Sequence, residues 1–239
     1  MGARPSARAT LRAVFVTFDL FSALVDSRTG AAAALAEITA GAGHPADGGE
    51  VYDDWDARNK ASQRDVVEWV PFAEHCRRSL AATWAARGWS DDPTAATDAL
   101  LAGLPDWPLW PDVAEVLAVL AREHRVGVLS NVDDALFART RVAGLVDPAD
   151  LVSSERVRAY KPHPQLYRGA VAAGVDVHVP ASARDTRGAL EAGLAVVRVA
   201  RPGHRVDPAG PQPERTVSDL RALPGVLAGL SGPPSTSRG

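Results

Sequence analysis

Four polar sites in this 239-residue chain stand where apolar runs give way to turns: Asp19, the Ser130-Asn131 pair, Lys161 and Asp185. Together they make a workable set of reacting groups. Asp19 offers a carboxylate nucleophile and Lys161 a compact charge to neutralise it. Ser130 and Asn131 offer a hydroxyl and an amide for a substrate oxyanion, and Asp185 a second acid to orient the lysine or a water. Lys161 stands out by rarity. Among 26 Lys plus Arg residues only Lys60 and Lys161 are lysines, so a point charge at 161, where arginine serves elsewhere, asks for a reason. Each site has a plain structural alternative: Asp19 and Asp185 as helix caps, Ser130-Asn131 as an ordinary turn, Lys161 as a solvated charge. Their joint occurrence in this order argues against all four being incidental.

These residues must be positioned by strands and helices. Val14 to Phe18 is apolar and β-branched, as expected of a buried parallel strand, and Asp19 ends it. From about Leu109 the pattern alternates. A helix begins at Pro111-Asp112 with Val113, Val116, Leu117 and Leu120 on one face, and Arg125 to Asn131 reads as a strand. Helices are expected over Asp133–Val142, Gln165–Ala173 and Ala183–Ala192, the last with Gly193 as its cap; strands are expected at Leu151–Ser153, Val177–Val179 and Ala195–Val199. A last helix over Ser218–Leu230 should break near Pro224. This predicts an α/β fold, a doubly wound parallel sheet, in which the strand C-termini converge on one edge. Residues 28–105 differ. Ala31–Ala40, Tyr52–Gln63, Phe72–Arg87 and Pro93–Leu101 read as amphipathic helices without a strand, a helical cap inserted after the first strand and covering Asp19. The core domain is then 11–27 with 106–230. Residues 1–10 and 231–239, rich in Ser, Gly and Pro, are expected to be disordered.

Composition narrows the function. A net charge of −3 with scattered arginines speaks against nucleic acid. No apolar run approaches a membrane span. Arg4, Arg8 and Arg12 ahead of an apolar stretch superficially look like a secretory signal, but Asp19 interrupts that stretch and no small-residue cleavage site precedes Asp26. The single cysteine, Cys76, reads as a buried structural thiol and fits a reducing cytoplasm. A cytoplasmic protein with a small-molecule substrate is expected. Trp107-Pro108-Leu109-Trp110 reads as packing at the return into the sheet, and His163 and His178 as structural.

In its motifs the chain resembles the haloacid dehalogenase-like hydrolases. The Asp19 segment is similar to their first motif, Ser130-Asn131 to the second, Lys161-Pro162 to the third and Ala181–Gly193 to the fourth. The resemblance covers nearly the whole chain and implies the Rossmann-like core with an inserted cap. Phosphatases of that superfamily carry a second Asp two residues after the nucleophile; here Phe21 stands there. They also carry Gly-Asp opening the fourth motif, where this chain has Pro180-Ala181. Both differences resemble the L-2-haloacid dehalogenase branch, which implies no metal, a possible homodimer, and a tyrosine near the site at Tyr167. A halide is so weak a base that it leaves without a general acid.

The chain also departs from that branch. Gly-Thr after the aromatic is Ser22-Ala23, which removes a hydroxyl expected to hold the nucleophile or substrate. The Ser and Asn positions of the fourth motif are Pro180 and Ser182. The cap arginine that binds substrate follows a tryptophan in that branch; here Asp56 follows Trp55, and Arg58 is the nearest substitute. The candidate catalytic residues are therefore Asp19, Lys161 and Asp185. Phe21, Ser130, Asn131, Arg58, Tyr167 and Ser182 are candidates for binding substrate. The first reading is a metal-independent aspartyl-nucleophile hydrolase on a small carboxylate-bearing substrate. The others are a Mg²⁺ phosphatase, with metal at Asp19, the Phe21 carbonyl and Asp185, and a degenerate binding protein.

Overall fold

The computed structural model describes residues 13–231 apart from Asp65 and Val67, so residues 1–10 and nearly all of 231–239 lie outside the described residues. In chain order the elements are β1 (Phe15–Phe18), α1 (Ser27–Gly41), α2 (Gly48–Ser62), α3 (Phe72–Ala86), α4 (Pro93–Ala102), α5 (Val113–Leu120) and β2 (Arg125–Ser130). Then come α6 (Asp134–Phe137), β3 (Leu151–Ser153), α7 (Ser154–Val157), α8 (Pro164–Ala172), β4 (Val177–Val179), α9 (Ala183–Glu191), β5 (Ala195–Val199), β6 (Arg215–Val217) and α10 (Leu223–Ser231).

The strands form one parallel sheet in the order β3-β2-β1-β4-β5-β6. β1 lies inside it, with Phe18 in register with Val128 on one side and Val179 on the other. All four of its residues are buried, as an apolar β-branched run covered on both faces should be. Alternate side chains feed two cores. Val16, Phe18, Val126 and Val128 pack with α5 and α10; Phe15, Leu129, Val152 and Val196 pack with α8 and α9. After β1 the chain winds to β2 and β3, then returns to β4 on the other side of β1. That reversal makes β1/β4 the switch point, where an α/β sheet opens its crevice. Asp19 N–H bonds the Val179 carbonyl (3.2 Å) across it.

Between β1 and β2 stand α1 to α4, packed on one another. Two chain crossings join them to the sheet: Val25 bridges Leu109 antiparallel, and Asp26 N–H bonds the Pro108 carbonyl (2.9 Å). A third tie comes from below. The Asp133 carboxylate accepts from the first N–H groups of α3, Phe72 (2.7 Å) and Ala73 (2.9 Å), and α3 has no cap of its own because Pro71 precedes it.

Three expectations need correction. The helix expected over 133–142 stops at Phe137, and a short 3₁₀ turn at Arg141–Gly144 follows. Thr140 is extended there and its hydroxyl bonds the Phe137 carbonyl (2.8 Å), an alternative to helix continuation. Pro224 does not break the last helix but sits in its first turn, where a missing N–H costs nothing. β6 was not expected. It is a three-residue edge strand with two exposed positions and so lacks an apolar run.

The α3 tie can be tested by equilibrium denaturation. Asp133→Ala leaves two helix-end N–H groups unpaired and should destabilise by about 2 kcal/mol, with Asp133→Asn, which keeps one acceptor, losing less.

Candidate active site

Asp19 ends β1 and caps the π-type turn Leu20–Leu24 that follows, a cap role that still leaves its carboxylate at the sheet edge. Its Oδ2 accepts from Ser22 N–H (3.1 Å) and from the Ser22 hydroxyl. The hydroxyl missing by comparison with Gly-Thr is thus supplied one residue earlier, by Ser22. Oδ1 accepts from Lys161 Nζ (2.9 Å) and weakly from Ser130 Oγ (3.4 Å).

Lys161 does not directly follow a strand; it lies past α7, beyond β3, yet reaches the same sheet edge. Its N–H bonds Asn131 Oδ1 (2.7 Å), and Asn131 Nδ2 bonds Gln63 Oε1 (2.8 Å) and the Lys161 carbonyl (3.4 Å). Asn131 lines the cavity, but its amide fixes Lys161 and α2 rather than standing free for a substrate oxyanion. Lys161 Nζ also donates to Asp185 Oδ2 (2.5 Å), so one ammonium bridges two carboxylates.

Asp185 lies in the first turn of α9, whose cap is Ser182. Burial alone would push its carboxyl up, but Lys161 and His178 outweigh burial and hold it well below the usual carboxylate range. Tyr167 OH donates to Asp185 Oδ1 (3.0 Å), and His178 sits between Asp185 Oδ2 and Thr17 Oγ1 (3.1 Å each). Burial and the Asp185 charge push the Tyr167 phenol well up, so it remains a donor. Gly188 allows this contact: a Cβ there would lie 2.6 Å from the Tyr167 hydroxyl. Side-chain exposure separates the carboxylates, at 12% for Asp19 and 2% for Asp185. Asp19 is the one a substrate can reach.

Above this edge lies a cavity, partly open to solvent, lined by Asp19, Phe21, Ser130, Asn131, Lys161, Ser182 and Asp185 among others. Two expected binding residues do not line it. Arg58 pairs with Asp54 (2.8 Å) on the outer side of α2, because the cavity stripe of that helix is Tyr52, Trp55, Asp56, Asn59, Lys60 and Gln63 at helical spacing. Tyr167 is fully buried behind Asp185 and touches it rather than the cavity. Among the lining residues to which the sequence reading gave no site role are Arg184, Lys60 and His204. Arg184, beside Asp185 in the fourth motif, carried a usable signal. Lys60, as the second of two lysines, carried a weaker one; His204, in a loop without a motif, carried none. Trp107, expected only to pack at the return into the sheet, also lines it and meets the Phe21 ring edge-on (6.1 Å).

A divalent metal fits these residues poorly. It would have to displace Lys161 from both carboxylates, and the Phe21 carbonyl already accepts from Ser27 Oγ (2.6 Å). Among the described residues no group of three or more His, Cys, Asp or Glu is arranged to hold a metal. Nor, among them, is any helix long and apolar enough to cross a membrane.

No family model matches the chain. A curated (S)-2-haloacid dehalogenase of Xanthobacter autotrophicus is 34% identical over 132 residues, 52% of this chain and 51% of the relative, so the match spans about half the relative's length. The structure of an L-2-haloacid dehalogenase described as defluorinating matches 90% of this chain and 95% of its own, at TM-score 0.76 and 26% identity. In sequence and fold the chain is similar to proteins of the haloacid dehalogenase-like superfamily. Its likeness within that superfamily is to the L-2-haloacid dehalogenase branch. The fold is shared further: the Xanthobacter autotrophicus L-2-haloacid dehalogenase with chloropropionic acid covalently bound has TM-score 0.78 at 24% identity, over 92% of this chain and all of that one.

The buried charge triad has a stability signature. Asp185's lowered pKa contributes stability present above the unfolded value near pH 4, roughly, and lost as pH falls. Lys161→Met leaves two carboxylates without their cation and should cost about 3–5 kcal/mol at pH 7. In denaturant titrations that gap should narrow below about pH 4, where protonation removes the repulsion.

Proposed function

We propose that this protein is a haloacid dehalogenase-like, metal-independent hydrolase that uses Asp19 as a nucleophile on carbon, cleaving the carbon–halogen bond of a small 2-haloacid. The observation carrying this reading is the Asp19–Lys161–Asp185 bridge beside a phenyl ring at position 21. Lys161 offsets the carboxylates without a metal. Phe21 stacks on Phe72 (5.6 Å) where an acid would be needed to protonate an alkoxide, so the leaving group must depart as a stable anion.

In the first step an Asp19 oxygen attacks C2, the carbon–halogen bond breaks with its electron pair, and halide leaves. The Asp19 ester then takes up water at its carboxyl carbon. The ester C–O bond breaks, releasing a 2-hydroxy acid and a proton and restoring the carboxylate. Asp185, held charged by its own partners, keeps Lys161 in place through both steps. Residues 28–105 act as the cap, excluding bulk water from Asp19 and strengthening the Lys161 field. The relatives' names, haloacid dehalogenases, support the same substrate class.

Turnover of 2-chloropropionate in heavy-oxygen water tests this. Label should enter the Asp19 peptide over repeated turnovers, halide should be released equally well in a chelator, and Asp19→Asn should lose at least about 1,000-fold in kcat. Absence of label, or halide release that requires Mg²⁺, overturns the proposal.

A further inference from the structure

The cavity wall carries three carboxylates, Asp19, Asp56 and Asp185, and three cations, Lys60, Lys161 and Arg184. Two of the cations are committed. Lys161 serves Asp19 and Asp185 at once, and Lys60 pairs with Asp56 (2.5 Å). Arg184 makes no ion pair among the described residues. Its Nη1 donates to the Lys60 carbonyl (3.0 Å) and its Nη2 to Gln63 Oε1 (3.4 Å), both uncharged acceptors. Burial draws the guanidinium below its ordinary pKa, with only partial relief from Asp185, Asp19 and Asp56. A half-buried guanidinium whose hydrogen bonds go to uncharged acceptors is poised to take an entering anion. Its planar fork matches a carboxylate.

An acid brought to Asp19 adds a negative charge next to two others. Lys161 cannot offset three. Six large apolar side chains, Phe21, Trp55, Phe72, Leu101, Leu104 and Trp107, face the same space and make one side of it apolar.

We propose that Arg184, from α9 of the sheet domain rather than from the helices above, anchors the substrate carboxylate, and that the preferred acid carries an apolar 2-substituent larger than methyl. This rests on the cavity being the site of an acid-consuming hydrolase. Carboxylate contact of this kind is made equally in ground and transition states, so it should be read mainly in KM and in binding.

Calorimetric binding of unreactive ligands to the full chain tests the anchor apart from the chemistry. 2-Phenylpropionate should bind more tightly than propionate, and at least about 10-fold more tightly than its neutral amide, the scale of one charged hydrogen-bonded contact. Arg184→Met should abolish the preference for acid over amide while leaving amide binding unchanged, and Arg184→Lys should restore part of it. If Arg184→Met does not fold, the wild-type acid–amide ratio and Arg184→Lys decide alone. Equal binding of acid and amide, no acid binding, or an acid preference that survives Arg184→Met overturns the inference, as does propionate binding as well as 2-phenylpropionate. Arg184-dependent acid binding without halide release from 2-chloropropionate or 2-chloro-2-phenylacetate sinks the nucleophile reading alone. Halide release with acid and amide bound equally sinks this one alone.

Discussion

One ammonium group sits between two carboxylates that could not otherwise share this space. Asp19 and Asp185 lie close together in a region largely cut off from water, where like charges repel far more strongly than at a surface. Lys161 satisfies both, and the surrounding residues exist in large part to keep it there. Asn131 holds its backbone, while Tyr167 and His178 each make a further hydrogen bond to Asp185. A buried charge cluster of this kind is weak support for stability but strong support for a fixed geometry, since any slip leaves an uncompensated charge. The asymmetry of burial then divides the labour: Asp185 is locked, and Asp19 faces the cavity.

That cluster draws on four separate stretches of chain, which only the sheet topology brings together. Parallel strands point their C-termini the same way, and the reversal between β1 and β4 opens space at one point of that edge. Asp19 comes from β1, Ser130 and Asn131 from β2, Lys161 from beyond β3, and Asp185 from beyond β4. The helices α1 to α4 leave from and return to this same point, so whatever they contribute is delivered directly over Asp19. Most of their contribution is a stripe along α2, from Tyr52 to Gln63, joined by Ser27, Phe72 and Leu101.

The parts of this arrangement that were legible in the sequence share a cause. A buried strand writes itself as an uninterrupted apolar run, so β1, β2, β4 and β5 were readable, and a polar residue ending such a run is conspicuous. Lys161 was readable through scarcity. Direction was not. Arg58 and Lys60 are two positions apart on one helix, and only its rotation, set by packing across α1 to α4, decides which faces inward. His178 looked like a strand residue and is one, yet the pairing of β4 with β1 places it against Thr17 and Asp185. β6 was hidden because an edge strand with two exposed residues needs no apolar pattern. Ser22 was misjudged for a different reason. Position-by-position likeness counts a hydroxyl as lost when it has moved along a turn, whereas a π-type turn brings Ser22 back onto Asp19.

Phe21 links the two halves of the functional reading. Its ring removes the proton donor that an alkoxide leaving group would need, and the same ring stacks on Phe72 and meets Trp107 edge-on, joining the nucleophile's own turn to α3 and to the return crossing. Loss of the acid and gain of the apolar wall are therefore one substitution. On the proposed reading, a site built this way disfavours alkoxide leaving groups and favours apolar substituents at once. A water-poor wall strengthens the field of Lys161 on Asp19, which favours attack by a carboxylate that is otherwise a weak nucleophile. The same dryness makes the free anion of a substrate expensive to bring in, unless a cation is waiting for it. Lys161 is fully used by the carboxylates it bridges, and Lys60 by Asp56. The requirement for a further positive charge in the wall thus follows from the nucleophile's surroundings, and Arg184 is where the chain supplies it.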